Sequence, residues 1–186
     1  MKNLIKPLVI ALISVVFIQC GNSKYDVSKG KVGELTTKTT MQEIDGIFKN
    51  DSVVKILSEG AKGNNFYQED DKYEIFEKGG KHLLTIIPNE QLDSLSTIKS
   101  IEIYDNRFKT KTGLNISSSF QEINANNTIS KVESSFLSAT LFIDDLNATI
   151  ALDKEDLGLK DFSTQKVSID QIPDLAKIKS LTIWFN

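Results

Sequence analysis

Two stretches of this chain repeat each other, and this repetition constrains the fold more than any other feature of the sequence. Leu95–Asn106 reads LSTIKSIEIYDN, and 80 positions later Leu175–Asn186 reads LAKIKSLTIWFN. A second pair lies at nearly the same offset, because Met41–Asp45 (MQEID) matches Phe120–Asn124 (FQEIN). Similar blocks in the same order indicate an internal duplication. The alternative is that an ordinary α+β chain contains two similar amphipathic patterns.

Each repeated unit is predicted to contain the same elements in the same order. A short helix begins at the QEI block, capped by Thr39 or Thr40 in the first unit and by a serine of 117–119 in the second. Antiparallel strands follow, and the last of them carries the IKS motif with apolar residues alternating along it. The predicted fold class is therefore α+β, with two tandem units of about 80 residues, 36–106 and 107–186. The strands predicted before the last one are Ser52–Leu57, the hairpin Tyr73–Ile87, Thr128–Glu133, Phe136–Ile143 and Ala148–Leu152.

The N-terminus has the layout of a secretory signal peptide. Lys2 and Lys6 precede an apolar run from Leu8 to Ile18, and the chain turns polar after Cys20. The run is shorter than the roughly 20 apolar residues that a transmembrane helix needs. A membrane anchor and an ordinary signal peptide with a free thiol are the alternatives. Cys20 is the only cysteine, so no disulfide can form within the chain.

A lone cysteine directly behind such a run resembles the acceptor cysteine of bacterial lipoproteins, whose thiol carries the lipid. This resemblance implies a signal peptide over 1–19, lipidation at Cys20 and a lipid-anchored tether over 20–35. It implies contact with a membrane through the anchor and a location in the bacterial cell envelope. Gly21 rather than an aspartate follows the cysteine, which in this family implies the periplasmic face of the outer membrane. The whole chain is also similar to uncharacterised lipoproteins of Bacteroidetes-type bacteria.

The segment Gly113–Ile123 (GLNISSSFQEI) carries a second resemblance. It is similar to the entry into the helix of two kinds of envelope or secreted module. One is the tandem helix-plus-sheet repeat of β-lactamase inhibitor proteins, and the other is the small lipoprotein of the outer-membrane assembly machine. The resemblance implies fold and location, and it implies no activity.

The sequence contains no recognisable catalytic set. His82 is the only histidine, it lies in a predicted strand, and we interpret it as a surface group. A Gly-x-Ser-x-Gly nucleophile elbow and a glycine-rich phosphate loop are both absent from the sequence. The acidic clusters 69–71 and 153–156 lack the ligand spacing of a calcium loop, so we interpret them as solvated loop charges. We therefore predict no metal and no cofactor.

One segment carries the features of an anion-binding site. Three cations alternate along it and lead into the serines that open the second helix, whose N–H groups favour anions. Such a site would bind a phosphate, a carboxylate or an acidic partner, and the alternative is a connector with an ordinary serine cap. The candidate residues are Arg107, Lys109, Lys111, Ser117, Ser118 and Ser119.

Charge and composition limit the classes of function that the sequence favours. The net charge of −3 does not favour nucleic-acid binding, which usually requires a basic patch. The favoured function is a non-catalytic envelope lipoprotein that binds a protein or an envelope component such as a glycan. One alternative is an envelope hydrolase acting on glycan or peptidoglycan through two carboxylates, which would face each other across a deep pocket. Another is an inhibitor of a second enzyme.

Overall fold

Antiparallel strands make up most of the regular structure of this chain. The computed structural model describes residues 23–58, 70–158 and 166–185. In chain order, the strands and helices of these ranges are β1 (Val27–Ser28), β2 (Lys31–Val32), β3 (Leu35–Thr36), α1 (Ile44–Ile47), β4 (Ser52–Ile56), β5 (Lys72–Phe76), β6 (His82–Pro88), β7 (Ile98–Ile103), α2 (Phe120–Asn126), β8 (Lys131–Ser134), β9 (Ser138–Ile143), β10 (Ala148–Asp153) and β11 (Ile178–Trp184), with single turns of 3₁₀ helix at Ser23–Tyr25, Met41–Glu43 and Ile169–Gln171.

Strands β4 to β11 form one antiparallel sheet, which we call the main sheet. Its strand order is β4-β5-β6-β7-β11-β10-β9-β8. The strands that carry the IKS motif, β7 and β11, therefore lie side by side at the centre. In their register Ile103 lies opposite Leu181, and Glu102 lies opposite Thr182. Strands from the first half of the chain extend outward from β7, and strands from the second half extend outward from β11.

Alternating apolar residues give the main sheet one buried face. Ile101 and Ile103 of β7 are fully buried, as are Leu181 and Ile183 of β11. Fully burying a side chain of this size contributes about 1.5–3 kcal/mol. The same buried cluster includes residues of both helices and of the β1–β3 segment, so these elements cover this face of the sheet. The fold is thus a sheet-dominated, antiparallel α+β arrangement.

Both helical segments begin with the same capping arrangement. The backbone N–H of Thr40 donates to Glu43 Oε2 at 2.8 Å, and the backbone N–H of Ser119 donates to Glu122 Oε2 at 2.8 Å. These caps confirm the predictions of Thr40 and of a serine within 117–119 as helix starts. Within the described ranges, no helix has the length and apolar character required to cross a membrane.

Residues 23–36 are folded, which corrects the prediction of a tether over 20–35. Strands β1, β2 and β3 form a second small sheet, the N-terminal sheet, and the side chains of Val27, Val32 and Leu35 are buried in the common core. The sequence prediction relied on the position of this segment behind the cysteine. Two-residue strands are too short to show a periodic pattern, so the apolar residues did not reveal them.

Backbone hydrogen bonds join this segment to the connection that follows β7. The N–H of Val27 donates to the carbonyl of Lys109, and the N–H of Lys109 donates to the carbonyl of Tyr25, both at 3.0 Å. The N-terminal sheet is therefore part of the folded domain. The predicted signal peptide, 1–19, and the predicted lipidation site, Cys20, lie outside the described residues.

Candidate functional site

The candidate site is the face of the main sheet that turns away from the core, which we call the open face. Its side chains alternate along the strands with the buried ones. Hydroxyl groups, carboxylates and aromatic rings dominate its middle, and most of these side chains are half-buried. From edge to edge, the middle row of this face consists of Val54, Glu74, Thr85, Glu102, Thr182, Thr149, Phe142 and Lys131.

Three stacked rings lie on the first half of the open face. The His82 ring is 4.7 Å from the Phe76 ring and 4.0 Å from the Tyr104 ring, with interplanar angles of 23° and 17°. His82 Nε2 lies 3.1 Å from Thr85 Oγ1 and 3.1 Å from the carbonyl oxygen of Leu84. Because a carbonyl can only accept, the contact with Leu84 favours the tautomer that carries its proton on Nε2.

Tyr104 is held as a hydrogen-bond donor at the end of this stack. Burial raises the pKa of Tyr104 to about 12, and its hydrogen bond to Glu102 and the charges of Glu102 and Glu74 act in the same direction. The hydroxyl therefore keeps its proton at neutral pH. The side chain is 42% exposed, so part of Tyr104 is open to solvent.

Trp184 occupies the corresponding place on the second half of the open face. Its indole Nε1 donates to Thr149 Oγ1 at 3.0 Å, and Asn147 Nδ2 donates to its backbone carbonyl at 3.1 Å. A depression of about 370 Å³ opens beside the indole, and we call it the Trp184 depression. Its lining includes Thr140, Phe142, Asp144, Asn147, Thr149 and Trp184.

Of the predicted anion-site residues, Arg107 binds carboxylates of its own chain. Its Nη2 lies 2.7 Å from Asp105 Oδ2 and its Nη1 lies 2.8 Å from Glu77 Oε1. Lys81 Nζ contacts the same Asp105 oxygen at 2.8 Å. Burial alone would raise the pKa of Asp105, but the hydrogen bonds from Arg107 and Lys81 outweigh it and hold the pKa well below its ordinary range. The guanidinium thus neutralises a fully buried carboxylate.

The three predicted serines form hydrogen bonds within the turn that leads into α2. The hydroxyl of Ser119 and the carboxylate of Glu122 cap α2. The buried Ser118 Oγ accepts from the backbone N–H of Asn115 at 3.2 Å, and the backbone N–H of Ser117 donates to Asn115 Oδ1 at 2.9 Å. An anion placed at this helix end would face the Glu122 carboxylate.

The two predicted lysines are exposed and lie apart from the Arg107 ion pairs. Lys111 lines a separate cleft of about 580 Å³ between the N-terminal sheet, the end of α2 and the turn after β9. Lys109 is held by its backbone bonds to the N-terminal segment. The six residues therefore fall into separate surroundings. The anion site stays a prediction that their contacts do not support.

The carboxylates of the described part lack the features of a hydrolytic pair. Glu74 and Glu102 flank Thr85 on the open face rather than across an enclosed pocket. A general acid at neutral pH needs a raised pKa. Hydrogen bonds from neighbouring groups instead lower the pKa of Glu43 and Glu77, and they outweigh burial at Asp71 and Asp105. In these ranges, no group of three or more His, Cys, Asp or Glu side chains is suited to hold a metal ion.

Sequence reasoning aligned Tyr104 with Trp184 but did not assign either residue to a site. The signal was present in the alternation of β7 and β11. The same period of two that places Ile101 and Ile103 in the core places Glu102 and Tyr104 on the opposite face. The stack with His82 depends on a strand from elsewhere in the chain, and no local pattern indicates it.

Comparison with known proteins adds information on the fold. No protein-family model matches this chain, and no curated protein matches it. Among solved structures, the chain is similar to the uncharacterized protein yfeY from Escherichia coli, with a TM-score of 0.55 and 16% sequence identity. The similarity covers 86% of this chain and 99% of that chain. At this identity the similarity shows a shared fold alone.

Proposed function

We propose that this chain is a non-catalytic, lipid-anchored envelope protein that binds a protein or an envelope component through its open face. The observation that supports this most is the pair of aromatic residues at the two ends of the central strand pair, the exposed Tyr104 and the partly buried Trp184. Tyrosine and tryptophan are enriched among the residues that dominate binding energy at interfaces. Each ring is fixed by its neighbours, so a partner would order few side chains on binding.

We also propose that the fold consists of two tandem units, each a short helix followed by antiparallel strands. Glu102 and Thr182 are 80 positions apart and lie opposite each other, which supports an approximate two-fold axis between the halves. Register shifts occur at matching places, between Ile87 and Pro88 and between Ala151 and Leu152.

Backbone bonds at the helix starts support the same two-unit proposal. The N–H of Met41 donates to Ser96 O at 3.0 Å, and the N–H of Phe120 donates to Ala176 O at 2.9 Å. Each bond joins the start of a helix to the turn before the last strand of its own half. Unrelated amphipathic patterns would have no reason to produce the same pair of bonds.

Binding is favoured over hydrolysis because the candidate acids lie on an open sheet face. A glycosidase holds two carboxyl groups around an enclosed bond and raises the pKa of one of them. Glu74 and Glu102 lie in a row with hydroxyl groups instead. An enzyme inhibitor would use the same kind of face, so that alternative is one form of a protein partner.

The location in the envelope is proposed from the N-terminal sequence. A lipid on Cys20 would hold the folded domain, which begins by Ser23, close to the membrane surface. Labelling cells with a palmitate analogue tests this, because wild type should carry label and Cys20→Ala should not. Equal label in both proteins would exclude the anchor. Loss of the protein on protease treatment of intact cells would contradict the periplasmic face.

A photo-crosslinking amino acid tests the open face directly. Placed at Thr182, at the centre of the face, it should form adducts in living cells, while at the exposed Lys38 of the N-terminal side it should not. Combining Thr182 labelling with Tyr104→Ala and Trp184→Ala should remove the adducts. Equal adducts at both positions, or adducts that persist in the double variant, would contradict the proposal.

A further inference from the structure

The two halves of the open face match closely but differ at one place. Thr85 lies opposite Glu102, and Thr149 lies opposite Thr182, so these threonines occupy matching positions. The tyrosine of the first half is replaced by Trp184 in the second. In the first half the His82 ring stacks on the aromatic ring. In the second half, none of the described aromatic rings stacks on the indole, and the Trp184 depression lies there instead.

The registers explain why the depression is left open. The N–H of Tyr104 donates to Leu83 O, and the N–H of Trp184 donates to Asn147 O, so the residue that matches His82 is Leu146. Leu146 packs against the common core and lines the separate 580 Å³ cleft. The ring that completes the first half therefore has no counterpart on the second half within the described residues.

We propose that the Trp184 depression binds a tyrosine or histidine side chain of a protein partner, in the place that the His82 ring fills in the first half. This inference rests on the proposed binding function and names the chemistry of the partner. The first half serves as an internal template. There, an imidazole lies 4.0 Å from the neighbouring aromatic ring at 17°, with a ring nitrogen 3.1 Å from the Thr85 hydroxyl.

The lining of the depression selects a ring with a donor at its edge. Ile75 pairs with Leu84, and Ile143 pairs with Ala148, so the residue that matches Phe76 is Asp144. A carboxylate thus replaces an aromatic wall. Two lysines contact the lining, because Lys131 Nζ lies 5.4 Å from the centroid of the Phe142 ring and Lys29 Nζ donates to the backbone carbonyl of Asp144 at 3.4 Å. Asp144 Oδ1 accepts from Ser130 Oγ at 2.7 Å, which orients the carboxylate. An N–H or O–H edge complements this charge better than the plain ring of phenylalanine.

The threonine of the depression supplies a second polar contact. Thr149 Oγ1 accepts the indole N–H of Trp184, so its own proton points to an acceptor elsewhere. A phenol oxygen can donate and accept at once, and a neutral imidazole carries one donor nitrogen and one acceptor nitrogen, so either ring can complement both Asp144 and Thr149. The volume of about 370 Å³ is at the lower end of the range for small-ligand pockets, which suits a single side chain.

Magnetic resonance of the full chain in mild detergent tests this inference. Trp184 is the only tryptophan, so its indole N–H gives one unique resonance. N-acetyltyrosinamide and N-acetylhistidinamide should shift that resonance in a saturable way. N-acetylleucinamide should bind about tenfold more weakly, because it cannot stack on the indole. Methyl β-glucopyranoside represents a sugar ligand, and saturation by it without saturation by the aromatic probes would overturn the proposal.

Two variants separate the depression from the rest of the face. Thr140→Phe fills the depression from an open-face position and should abolish the shifts caused by the aromatic probes. Phe136→Ala removes an aromatic side chain that is 60% exposed in the turn before β9, and it should leave the shifts unchanged. Melting temperatures establish that both variants are folded. Retained binding in Thr140→Phe would overturn the proposal.

Failure of the ring-binding proposal for the Trp184 depression can be distinguished from failure of the proposed binding function of the open face. If crosslinks form at Thr182 while no aromatic probe shifts the indole resonance, the face binds a partner but the depression does not receive an aromatic ring. If neither measurement gives a signal, the proposed function itself fails.

Discussion

At the residue scale, Asp105 connects two regions that are distant in the sequence. Its carboxylate is fully buried and is bonded by Arg107 and Lys81, which are themselves partly exposed. Replacing Asp105 with Asn leaves two cations around a neutral amide. We expect a loss of about 3 kcal/mol in the free energy of unfolding at pH 7, measured by urea denaturation. Asp45→Asn is the matched control, because Asp45 forms an exposed pair with Lys55 and should change stability by less than about 1 kcal/mol.

The pH dependence gives this prediction a second readout. The folded-state pKa of Asp105 is depressed, so its contribution is present above the unfolded-state pKa of about 3.9 and is lost as pH falls toward the folded-state value. The difference in stability between wild type and Asp105→Asn should therefore be constant from pH 5 to 7 and should shrink below about pH 4. A difference that grows on acidification would contradict the ion-pair assignment.

Arg107 illustrates which site features the sequence could not predict. Its alternation with Lys109 and Lys111 predicted a cationic row on one side of an extended segment. The partner Asp105 is only two positions earlier, but its burial depends on packing that a local pattern does not describe. Residues of the open face were more predictable, because the alternation that identified the core also identifies the opposite side of each strand.

At the element scale, both helix starts should contribute to stability. Thr40 and Ser119 occupy matching caps, each with a glutamate three residues later. Thr40→Ala and Ser119→Ala should each cost about 1 kcal/mol, measured by thermal unfolding. Ser117→Ala, at an exposed position outside the cap, should cost less than about 0.5 kcal/mol. A large loss of stability in Ser117→Ala with none in Ser119→Ala would contradict the assignment of Ser119 as the N-cap of α2.

Two strands predicted from short apolar runs agree closely with the structure. The prediction Ser52–Leu57 corresponds to β4 (Ser52–Ile56), and Ala148–Leu152 corresponds to β10 (Ala148–Asp153). The pairing of β7 with β11 was not predictable in the same way, because hydrophobic alternation indicates which face is buried but not which strand is the neighbour.

At the scale of the whole molecule, the continuous sheet should make the two halves unfold together. Ile103 and Ile183 occupy matching central positions and are both fully buried. Ile103→Ala should cost about 3 kcal/mol, within the range for buried isoleucine truncations. Because the only tryptophan is in the second half, its fluorescence should report a lowered melting temperature although the substitution is in the first half. An unchanged fluorescence melt beside a changed circular dichroism melt would indicate independent halves.

The C-terminal strand provides the most severe test of this arrangement. β11 pairs with β7 on one side and with β10 on the other, so it joins the two halves of the main sheet. Deleting residues 181–186 removes two fully buried side chains and leaves unpaired backbone groups on both neighbours, each of which is costly to bury. A typical domain is stable by only about 5–15 kcal/mol, so we expect the truncated protein to lose its cooperative melt by circular dichroism. Val132→Ala in the edge strand β8 is the control and should retain that melt. If the truncated protein melted within a degree or two of the full chain, β11 would be peripheral, and the two-unit sheet would lose its main structural support.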